Sequence, residues 1–353
     1  MNSLSVKIGS LTFSDFEEVF IRKSMETLSG IAIFNTANFF QQEQKKLDIH
    51  FEYSFDAFIN NTSVIKGKVE IIKSKFEESK SSVEIGGRDA TSILVDCDWD
   101  NSVNEWKKQT ILSLVNTICG AFGVSVVIDA SASGIVSRVI DSFKINEGEK
   151  VYQAIKRLCV ENTILPLSYG DGKLTLTRVS TSNYADEQLK AGSYKIIKGS
   201  SNQSNIDRFN SYTVKGQSKE NDFKDTASYL QVYGKATDSV IKDTKRKSIY
   251  LSDTELDFGK AVLQAKNIRN LKAGYSRPYV LTVRDWEQSS KKLWKINYIV
   301  TVEVPLLRVK KQLLIYQLDF HFTKAEGFTT DIYLIDKNTY TTNDGQIKSE
   351  FDA

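Results

Sequence analysis

The chain has 353 residues, of which 41% are hydrophobic and 26% charged, and it contains only three prolines. This composition predicts a folded protein of two or three domains and excludes long proline-rich linkers. The 47 basic and 44 acidic residues leave a net charge of +3, which excludes a strong bulk attraction to nucleic acid or to an anionic membrane.

Residues 1–87 are predicted to form several strands with turns between them. Leu4, Val6 and Ile8 alternate with polar residues, as in a half-buried strand. Further runs of β-branched and aromatic residues lie at 16–33, 47–55 and 64–72. Strands at this spacing, without amphipathic helices between them, are typical of an antiparallel barrel or sandwich. The region is therefore predicted to be the first part of such a domain.

The stretch VEIGGRDATSILVDC, residues 83–97, ends this strand-rich region. Its alternating start predicts a strand end, which the pair Gly86-Gly87 is expected to stop. Asp89 is expected to cap a short apolar helix over residues 93–95. The stretch lacks the longer glycine patterns of phosphate-binding loops, so it predicts a strand-turn-helix corner.

From residue 88 to about 180 the hydrophobic period becomes helical. Asn104 is expected to cap a helix that ends at Gly120 and Gly123, before a strand over 124–128. The apolar face of this helix is Ile111, Leu114, Val115 and Ile118. Residues 110–128 carry no charge and approach the length of a membrane span, but polar residues dilute them and the apolar ones keep to one side. A buried helix is predicted, without stable membrane insertion.

The next segment, INEGEKVYQAIKRLC, predicts a second helix. Its apolar face is Val151, Ile155, Leu158 and Cys159. Asn146 and Glu149 bracket its start in the manner of a cap. A hairpin is predicted to follow, with strands over 164–168 and 173–178 and a Gly-Asp-Gly turn at 170–172. The helix-forming run also resembles a LysM peptidoglycan-binding module, which is an alternative for this segment.

The second half of the chain is predicted to be mostly β-structure. Residues 181–204 are polar and predict an exposed connection. Predicted strands lie at 206, 209–216, 279–284, 293–304, 312–322 and 328–335. A capping box at 252–255 predicts the start of a helix over 256–271, which Gly274 ends. The last dozen residues are polar and are predicted to be loose.

The sequence predicts neither an enzyme nor a cofactor or metal site. Cys97, Cys119 and Cys159 are widely spaced and predict buried free thiols, and His50 and His321 stand alone on apolar stretches. No Ser-His-Asp order, metal-ligand cluster or glycine-rich phosphate loop is present. A muramidase with two unmarked carboxylates is the enzymatic alternative. No secretory signal is visible, so synthesis and retention in a cytoplasm are expected.

The order of these segments resembles the phage Mu-type baseplate hub and tail protein family, which is related to the central hub of T-even phages. The motif residues that carry the resemblance are Gly87, Arg88, Asp89, Leu94, Val95, Asp96, Cys97, Gly148, Glu149, Gly172, Trp286 and Trp294. The hairpin strand GKLTLTR and the run LLI at 313–315 also match. The chain departs from the family at Asp285, where a glycine is common, and at Lys295-Ile296, where a proline is common.

The resemblance implies a β-rich α+β fold with two barrel-like β domains and an inserted small α/β domain. The boundaries it predicts are 1–87 for the first part of barrel 1, 88–178 for the inserted domain, 179–235 for a connection and the returning strands of barrel 1, 236–340 for a second barrel-like domain with one helix, and 341–353 for a loose tail.

The resemblance also implies a structural function without bond chemistry. The chain is expected to be the baseplate hub of a contractile phage tail, or of a tailocin or prophage particle. A homotrimeric ring would adapt the six-fold tail tube to the three-fold spike. The implied partners are the tail spike, tail tube and baseplate wedge proteins, with DNA only in transit through the lumen. The implied location is the baseplate of the virion tail. A LysM-like peptidoglycan-binding tail protein is the alternative function.

Overall fold

A computed structural model describes residues 3–37, 49–77, 80–193, 195–217, 231–252, 256–341 and 347. Within these ranges the chain is rich in β-structure with a minority of helix, which confirms the β-rich α+β class. The strands are β1 (Leu4–Ile8), β2 (Leu11–Phe13), β3 (Glu18–Ser24), β4 (Ile31–Ala37), β5 (Ser54–Ile59), β6 (Thr62–Glu77), β7 (Lys80–Asp89), β8 (Glu105–Thr110), β9 (Val126–Ile128), β10 (Val139–Lys144), β11 (Leu165–Leu167), β12 (Leu174–Thr177), β13 (Leu189–Lys190), β14 (Ile196–Ser201), β15 (Ser211–Gln217), β16 (Gln231–Thr237), β17 (Lys247–Leu251), β18 (Tyr279–Arg284), β19 (Tyr298–Val304), β20 (Val309–Thr323) and β21 (Gly327–Asp336). The helices are α1 (Ser92–Asp96), α2 (Ile111–Gly120), α3 (Ser133–Val136), α4 (Val151–Glu161) and α5 (Phe258–Tyr275).

The chain divides into two compact units that are each assembled from separate segments. The first unit contains residues 1–178, 283–297 and 316–332. The second unit contains residues 179–282, 298–315 and 333–353. Strands β18, β20 and β21 therefore each contribute residues to both units.

The sheet of the first unit has the order β2-β1-β5-β6-β7-β4-β3, followed by the parts of β20 and β21 that belong to this unit. Antiparallel registers align Val6 with Ala57, Phe34 with Ile85, and Ile21 with Phe320. All six of these side chains are buried, so alternation along each strand builds one core face. Closure of a sheet into a barrel, which the resemblance implies for two domains, is not found in the described ranges.

Two strand predictions for the sheet of the first unit are wrong. The pair Gly86-Gly87 does not stop a strand, because β7 continues through both glycines to Asp89. The strand predicted over 47–55 begins only at Ser54, and residues 47 and 48 lie outside the described ranges. His50 accordingly lies in a turn, where its ring packs against Tyr53.

Residues 91–178 hold a hydrophobic core between α2, α4 and a small sheet of β11, β12 and β9. The predicted faces of both helices and the predicted hairpin are confirmed, since every residue of the two faces is buried. Asn104 is not the cap of α2, because β8 pairs with β10 over the intervening residues. The Thr110 side chain caps α2 instead by accepting a hydrogen bond from the Ser113 amide at 3.1 Å.

The uncharged stretch 110–128 forms α2, a loop and β9. In the described part of the chain, no helix combines the length and the apolar character needed to cross a membrane.

The second unit contains two sheets. One has the order β14-β18-β21-β20-β19-β13, counting only the residues that belong to this unit. The other has the order β16-β15-β17, and α5 packs on it. The segment 181–204 is more than the predicted connection, since it supplies β13 and β14. The predicted capping box lies outside the described residues except Ser252, and α5 begins at Phe258 with the Asp257 carboxylate accepting from the Lys260 amide at 2.7 Å.

Candidate functional site at the junction of the first sheet and residues 91–178

Within the first unit, the motif residues 87–97 lie where β7 of the sheet leads into residues 91–178. We call this contact the junction. At its edge β6 and β7 approach each other so closely that side chains are excluded. A Cβ atom on Gly87 would lie 1.9 Å from the Lys68 carbonyl oxygen, and one on Gly67 would lie 1.9 Å from the Arg88 carbonyl oxygen. Gly87 is therefore required by the close approach of two strands and not by a turn.

Asp89 is the central polar group of the junction and is fully buried. One carboxylate oxygen accepts from the Gly30 amide at 2.6 Å, and the other accepts from the Thr91 amide at 2.9 Å and from the Thr91 hydroxyl. Burial raises the pKa of Asp89, while hydrogen bonds from Thr91, Gly30 and Ser168 oppose that rise. Asp89 thus fastens the β3–β4 turn to the start of α1, although it is not the N-cap residue, which is Thr91.

A loop of residues 91–178 docks beside Asp89. The Gly170 carbonyl oxygen accepts from the Lys66 amide at 2.7 Å, so this loop hydrogen-bonds to β6. Gly170 has φ +85°, and a Cβ atom there would lie 2.8 Å from Cε of Lys23. Gly172, a motif residue, has φ +78° and faces Ala90. Both glycines are required by left-handed backbone in a crowded contact.

Lys23 is a buried lysine at the same contact. Burial lowers the pKa of Lys23 to about 8, against the opposing effect of Asp89 and Asp171. Its ammonium also lies 5.8 Å from the centre of the Phe320 ring. The junction therefore holds buried groups of both charges, which makes its assembly sensitive to geometry.

Arg88 ties the two sides of the junction together from the outside. Its guanidinium binds Glu70 on β6 through Nε at 2.7 Å and Nη2 at 3.0 Å, and Asp96 on α1 through Nη1 at 2.9 Å. The hydrogen bonds that Arg88 donates to Asp96 and Glu70 raise the pKa of Arg88, and the bond from Arg88 lowers the pKa of Asp96. This fork-shaped pairing fixes α1 against the sheet, as only a planar guanidinium can.

The remaining motif residues of α1 point into residues 91–178. Leu94 is fully buried in the core of that segment, and Val95 packs against the same core. Cys97 is half-buried, and its carbonyl oxygen accepts from the Val151 amide at 3.0 Å. The GRD and LVDC parts of the motif therefore serve opposite sides of one contact.

Gly148 and Glu149 lie at the start of α4. Gly148 is an exposed turn residue with φ +74°. Glu149 accepts from the Asn146 amide at 3.0 Å and from Arg157 at 2.8 Å. Burial disfavours ionisation of Glu149, but the hydrogen bonds from Arg157 and Asn146 hold its pKa below the usual range. Asn146 and Glu149 are therefore hydrogen-bonded to each other in the turn before α4, but the predicted cap is wrong, because the N-cap residue is Lys150 and no side chain caps the helix.

The two motif tryptophans are buried in the first unit, and Trp286 belongs to a separate aromatic cluster. Trp286 donates its indole N–H to the His321 carbonyl oxygen at 2.7 Å and packs on Phe320 and Phe328. The Trp294 amide donates to the Trp286 carbonyl oxygen at 3.3 Å. These residues stabilise the sheet around β20.

The sequence alone did not indicate the junction contacts of Lys23, Gly67 and Gly170. Val19, Ile21 and Lys23 share one side of β3, so strand alternation alone places Lys23 on the buried face. A glycine inside a strand, as at Gly67, signals close backbone approach. The partner of each contact depends on strand register, which the sequence did not provide.

The junction residues make packing contacts, hydrogen bonds and ion pairs within one unit. In the described ranges, no three His, Cys, Asp or Glu side chains are grouped to hold a metal ion. Cys119 and Cys159 are buried free thiols as predicted, whereas the predicted burial of Cys97 is wrong, because this free thiol is only half-buried. Burial raises the pKa of Cys119 to about 12, so this thiol stays protonated. What the junction does is hold two bodies of one unit in a fixed relation.

Known proteins are similar to residues 91–178 and to almost the whole chain. Residues 91–178 match the family model described as baseplate hub protein gp44-like, second domain. The baseplate hub protein gp44 of Escherichia phage Mu is 23% identical over 338 residues, covering 94% of this chain and 87% of its own length.

Two solved structures share the fold. The 43 kDa tail protein of prophage MuSo2 from Shewanella oneidensis has a TM-score of 0.85 at 23% identity and covers 96% of this chain and 99% of its own. An E. coli type VI secretion system component, described as structurally similar to the T4 bacteriophage tail proteins gp27 and gp5, has a TM-score of 0.59 at 9% identity. It covers 97% of this chain and 80% of its own.

Residues 91–178 therefore match the second domain of a baseplate hub protein family, and the chain as a whole is similar to structural baseplate hub and tail proteins. Its relatives are structural hub and tail proteins and not enzymes, in agreement with the prediction of no catalytic activity. The resemblance to the phage Mu-type baseplate hub and tail protein family, predicted from the sequence motifs, is confirmed.

Proposed function

We propose that the chain is the central hub of a contractile phage tail baseplate, or of a tailocin or prophage particle, and that it acts as a homotrimeric ring. The ring adapts the six-fold tail tube to the three-fold spike. The observation that carries this proposal is the relation to the hub protein of phage Mu over 94% of the chain.

Two features of the chain support a ring. It divides into two units that each contain a β-sheet, so three chains supply the six β units that a six-fold tube requires. In the described residues, β2, β13 and β14 are terminal strands of their sheets. Terminal strands with unpaired backbone groups are commonly covered by a neighbouring chain.

We further propose that the chain contains two barrel-like domains, with domain boundaries at residues 87, 178, 235 and 340. Its partners are the tail spike, tail tube and baseplate wedge proteins. DNA passes through the lumen without being held. Assembly takes place in the host cytoplasm, and the product is located in the baseplate of the virion tail.

The LysM alternative has lost the observation that suggested it. The hub family model accounts for residues 91–178 as a whole, including the run that resembles LysM. Peptidoglycan binding is therefore no part of the proposal.

Light scattering tests the ring. The mass at micromolar concentration, alone or with the spike protein added, is expected near three times 39.9 kDa. Dilution of the same sample serves as the control, because a specific trimer dissociates at a defined concentration. A protein that stays monomeric even with the spike present contradicts the proposal.

A further inference from the structure

The sheet β16-β15-β17 of the second unit is covered on one face only. On that face α5 approaches the strands to backbone contact, since a Cβ atom on Gly234 would lie 2.2 Å from the Ala261 carbonyl carbon. Val214, Ala236 and Leu256 complete a small core there. Gly234 thus explains how the helix fits so closely, and this face has no room for another partner.

The opposite face carries large apolar side chains in solvent. The strand register places Tyr233, Lys215 and Leu251 in one row, and Lys235, Thr213 and Ile249 in the next. Tyr233 and Ile249 are each 61% exposed, and Leu251 is 80% exposed. Isolated exposed apolar residues are ordinary, but here Tyr233 on β16 and the pair Ile249 and Leu251 on β17 flank Lys215 and Thr213 of the central strand β15 on one face. A face that combines exposed apolar and cationic side chains in this way can serve as an interaction site. We call this the open face.

The charges on the open face have one sign. Lys215, Lys235 and Lys247 point to the same side as the apolar residues. None of the three forms an ion pair with the described residues. The open face therefore combines three aliphatic or aromatic side chains with three lysines that form no ion pair among the described residues.

We propose that the open face binds an acidic protein surface, in which carboxylates pair with the three lysines and aliphatic side chains cover Tyr233, Ile249 and Leu251. This inference rests on the proposed function, since the partner would be another protein of the same particle. Charge complementarity selects the partner and speeds docking, and contacts to the apolar side chains on the two outer strands exclude water beside the lysines.

Nucleic acid and lipid fit the same face less well. Single-stranded nucleic acid binds through bases stacked on aromatic rings, and Tyr233 is the one aromatic residue beside two aliphatic ones in the described part of this face. A lipid surface is entered by Trp or Phe side chains on an amphipathic helix, whereas the open face is a flat sheet.

Photo-crosslinking in assembled particles tests the proposal. A photoreactive amino acid replaces Leu251 in the full chain, which is produced in a host that makes particles without the native copy. The matched control carries the same amino acid at Leu263, an exposed residue of α5, which packs on the other face of the sheet. Leu251 is expected to crosslink to a different protein of acidic composition, and Leu263 is not.

Charge variants supply the second readout. Replacing the three lysines by glutamate, K215E/K235E/K247E, is expected to lower the crosslink yield at least about tenfold. The matched variant K215R/K235R/K247R keeps the charge and is expected to keep the yield. Raising the salt from about 0.15 M to about 0.5 M is expected to weaken the crosslink of the native lysines.

The outcomes separate this inference from the proposed function. If the chain is absent from the particles, the hub function itself fails. If the chain is incorporated but Leu251 crosslinks no more than Leu263, or crosslinks to a second copy of the chain, the proposal for the open face is overturned. Binding of the purified chain to a single-stranded oligonucleotide or to phosphatidylglycerol vesicles, lost in the glutamate variant, overturns it as well.

Discussion

Asp89 is buried and accepts hydrogen bonds from backbone and side-chain donors that no water reaches. Replacing it by alanine, Asp89→Ala, leaves the Gly30 and Thr91 amides without acceptors in the interior. The free energy of unfolding is expected to fall by about 3 kcal/mol, because each buried donor left unsatisfied costs roughly 1–3 kcal/mol. Urea denaturation of the full chain measures the change.

Asp129 offers a matched control for Asp89. It also accepts from the amide and hydroxyl of the residue two positions later, Ser131, but it is partly exposed. Water can replace the lost acceptor there, so Asp129→Ala is expected to cost about 1 kcal/mol or less. Equal losses in the two variants would show that Asp89 contributes only a local turn and not the junction.

Gly87 is expected to tolerate no side chain. In Gly87→Ala the new methyl group meets the Lys68 carbonyl oxygen, so β6 and β7 must separate. The free energy of unfolding is expected to fall by about 2 kcal/mol or more, in the range of overpacked cores. Gly120→Ala is the control, since its Cβ has no neighbour within 4 Å and alanine favours the helix by up to about 1 kcal/mol. Thermal unfolding that moves equally in both variants would contradict the close approach.

Asp285 stands at the position where a glycine is common in the family. Its φ of +75° lies in the left-handed region, where glycine is favoured and aspartate is tolerated. The Asp285 carboxylate accepts from the Trp286 amide at 2.7 Å, which stabilises that conformation. The backbone of this chain at Asp285 is therefore one that also suits glycine.

Helices α2 and α4 were predictable because their apolar residues repeat at helical spacing over a full face. Strand β8 was not, because EWKKQT has no alternation and becomes a strand only by pairing with β10. The sequence consequently predicts Asn104 as a helix cap. The same limit applies to β7, where Gly86-Gly87 is compatible with a turn or with a close strand contact. Only the partner strand decides between the two.

The sequence predicts only the part of the junction that residues 87–97 form. The residues from Gly87 to Cys97 stand out through their resemblance to a family motif, whereas Lys23 and Gly67 lie on other strands with no local mark of their role. Their contacts depend on register between segments far apart in sequence. The hydrophobic period of a segment predicts which side chains face the core, but it does not predict which residues of other segments they contact.

Residues 88–178 are predicted to fold when expressed alone. This segment supplies nearly all of its own hydrophobic core, around α2 and α4. Cooperative urea unfolding, followed by circular dichroism, is the expected result. A variant with Leu158→Asp in the same fragment is the control, since a charge in that core abolishes the transition.

The same fragment decides the LysM alternative. It is expected to stay in the supernatant when mixed with purified peptidoglycan. Saturable binding by the folded fragment, absent in the unfolded Leu158→Asp variant, would restore that alternative and make it the leading one.

For the molecule as a whole, the near balance of 47 basic and 44 acidic residues predicts weak interaction with DNA. Duplex affinity at physiological salt is expected to be no better than the roughly 10⁻⁴ to 10⁻⁶ M of non-specific contacts. A gel shift at nanomolar protein in about 0.15 M salt would contradict this expectation. Glutamine substitutions in the lysine-rich segments 242–247 and 291–295 would then show which segment holds the DNA.

The pairing of β3 with β20 joins residues that are made at very different times. Arg22 and Asp319 form two hydrogen bonds, at 2.8 and 2.7 Å, across a separation of 297 residues. At a synthesis rate of about 5–20 residues per second, β3 leaves the ribosome roughly 15 to 60 s before its partner. During that interval the edge of β3 is open to pairing with other nascent chains. A chain truncated before residue 309 lacks this partner strand, so it is expected to aggregate more readily than the full chain.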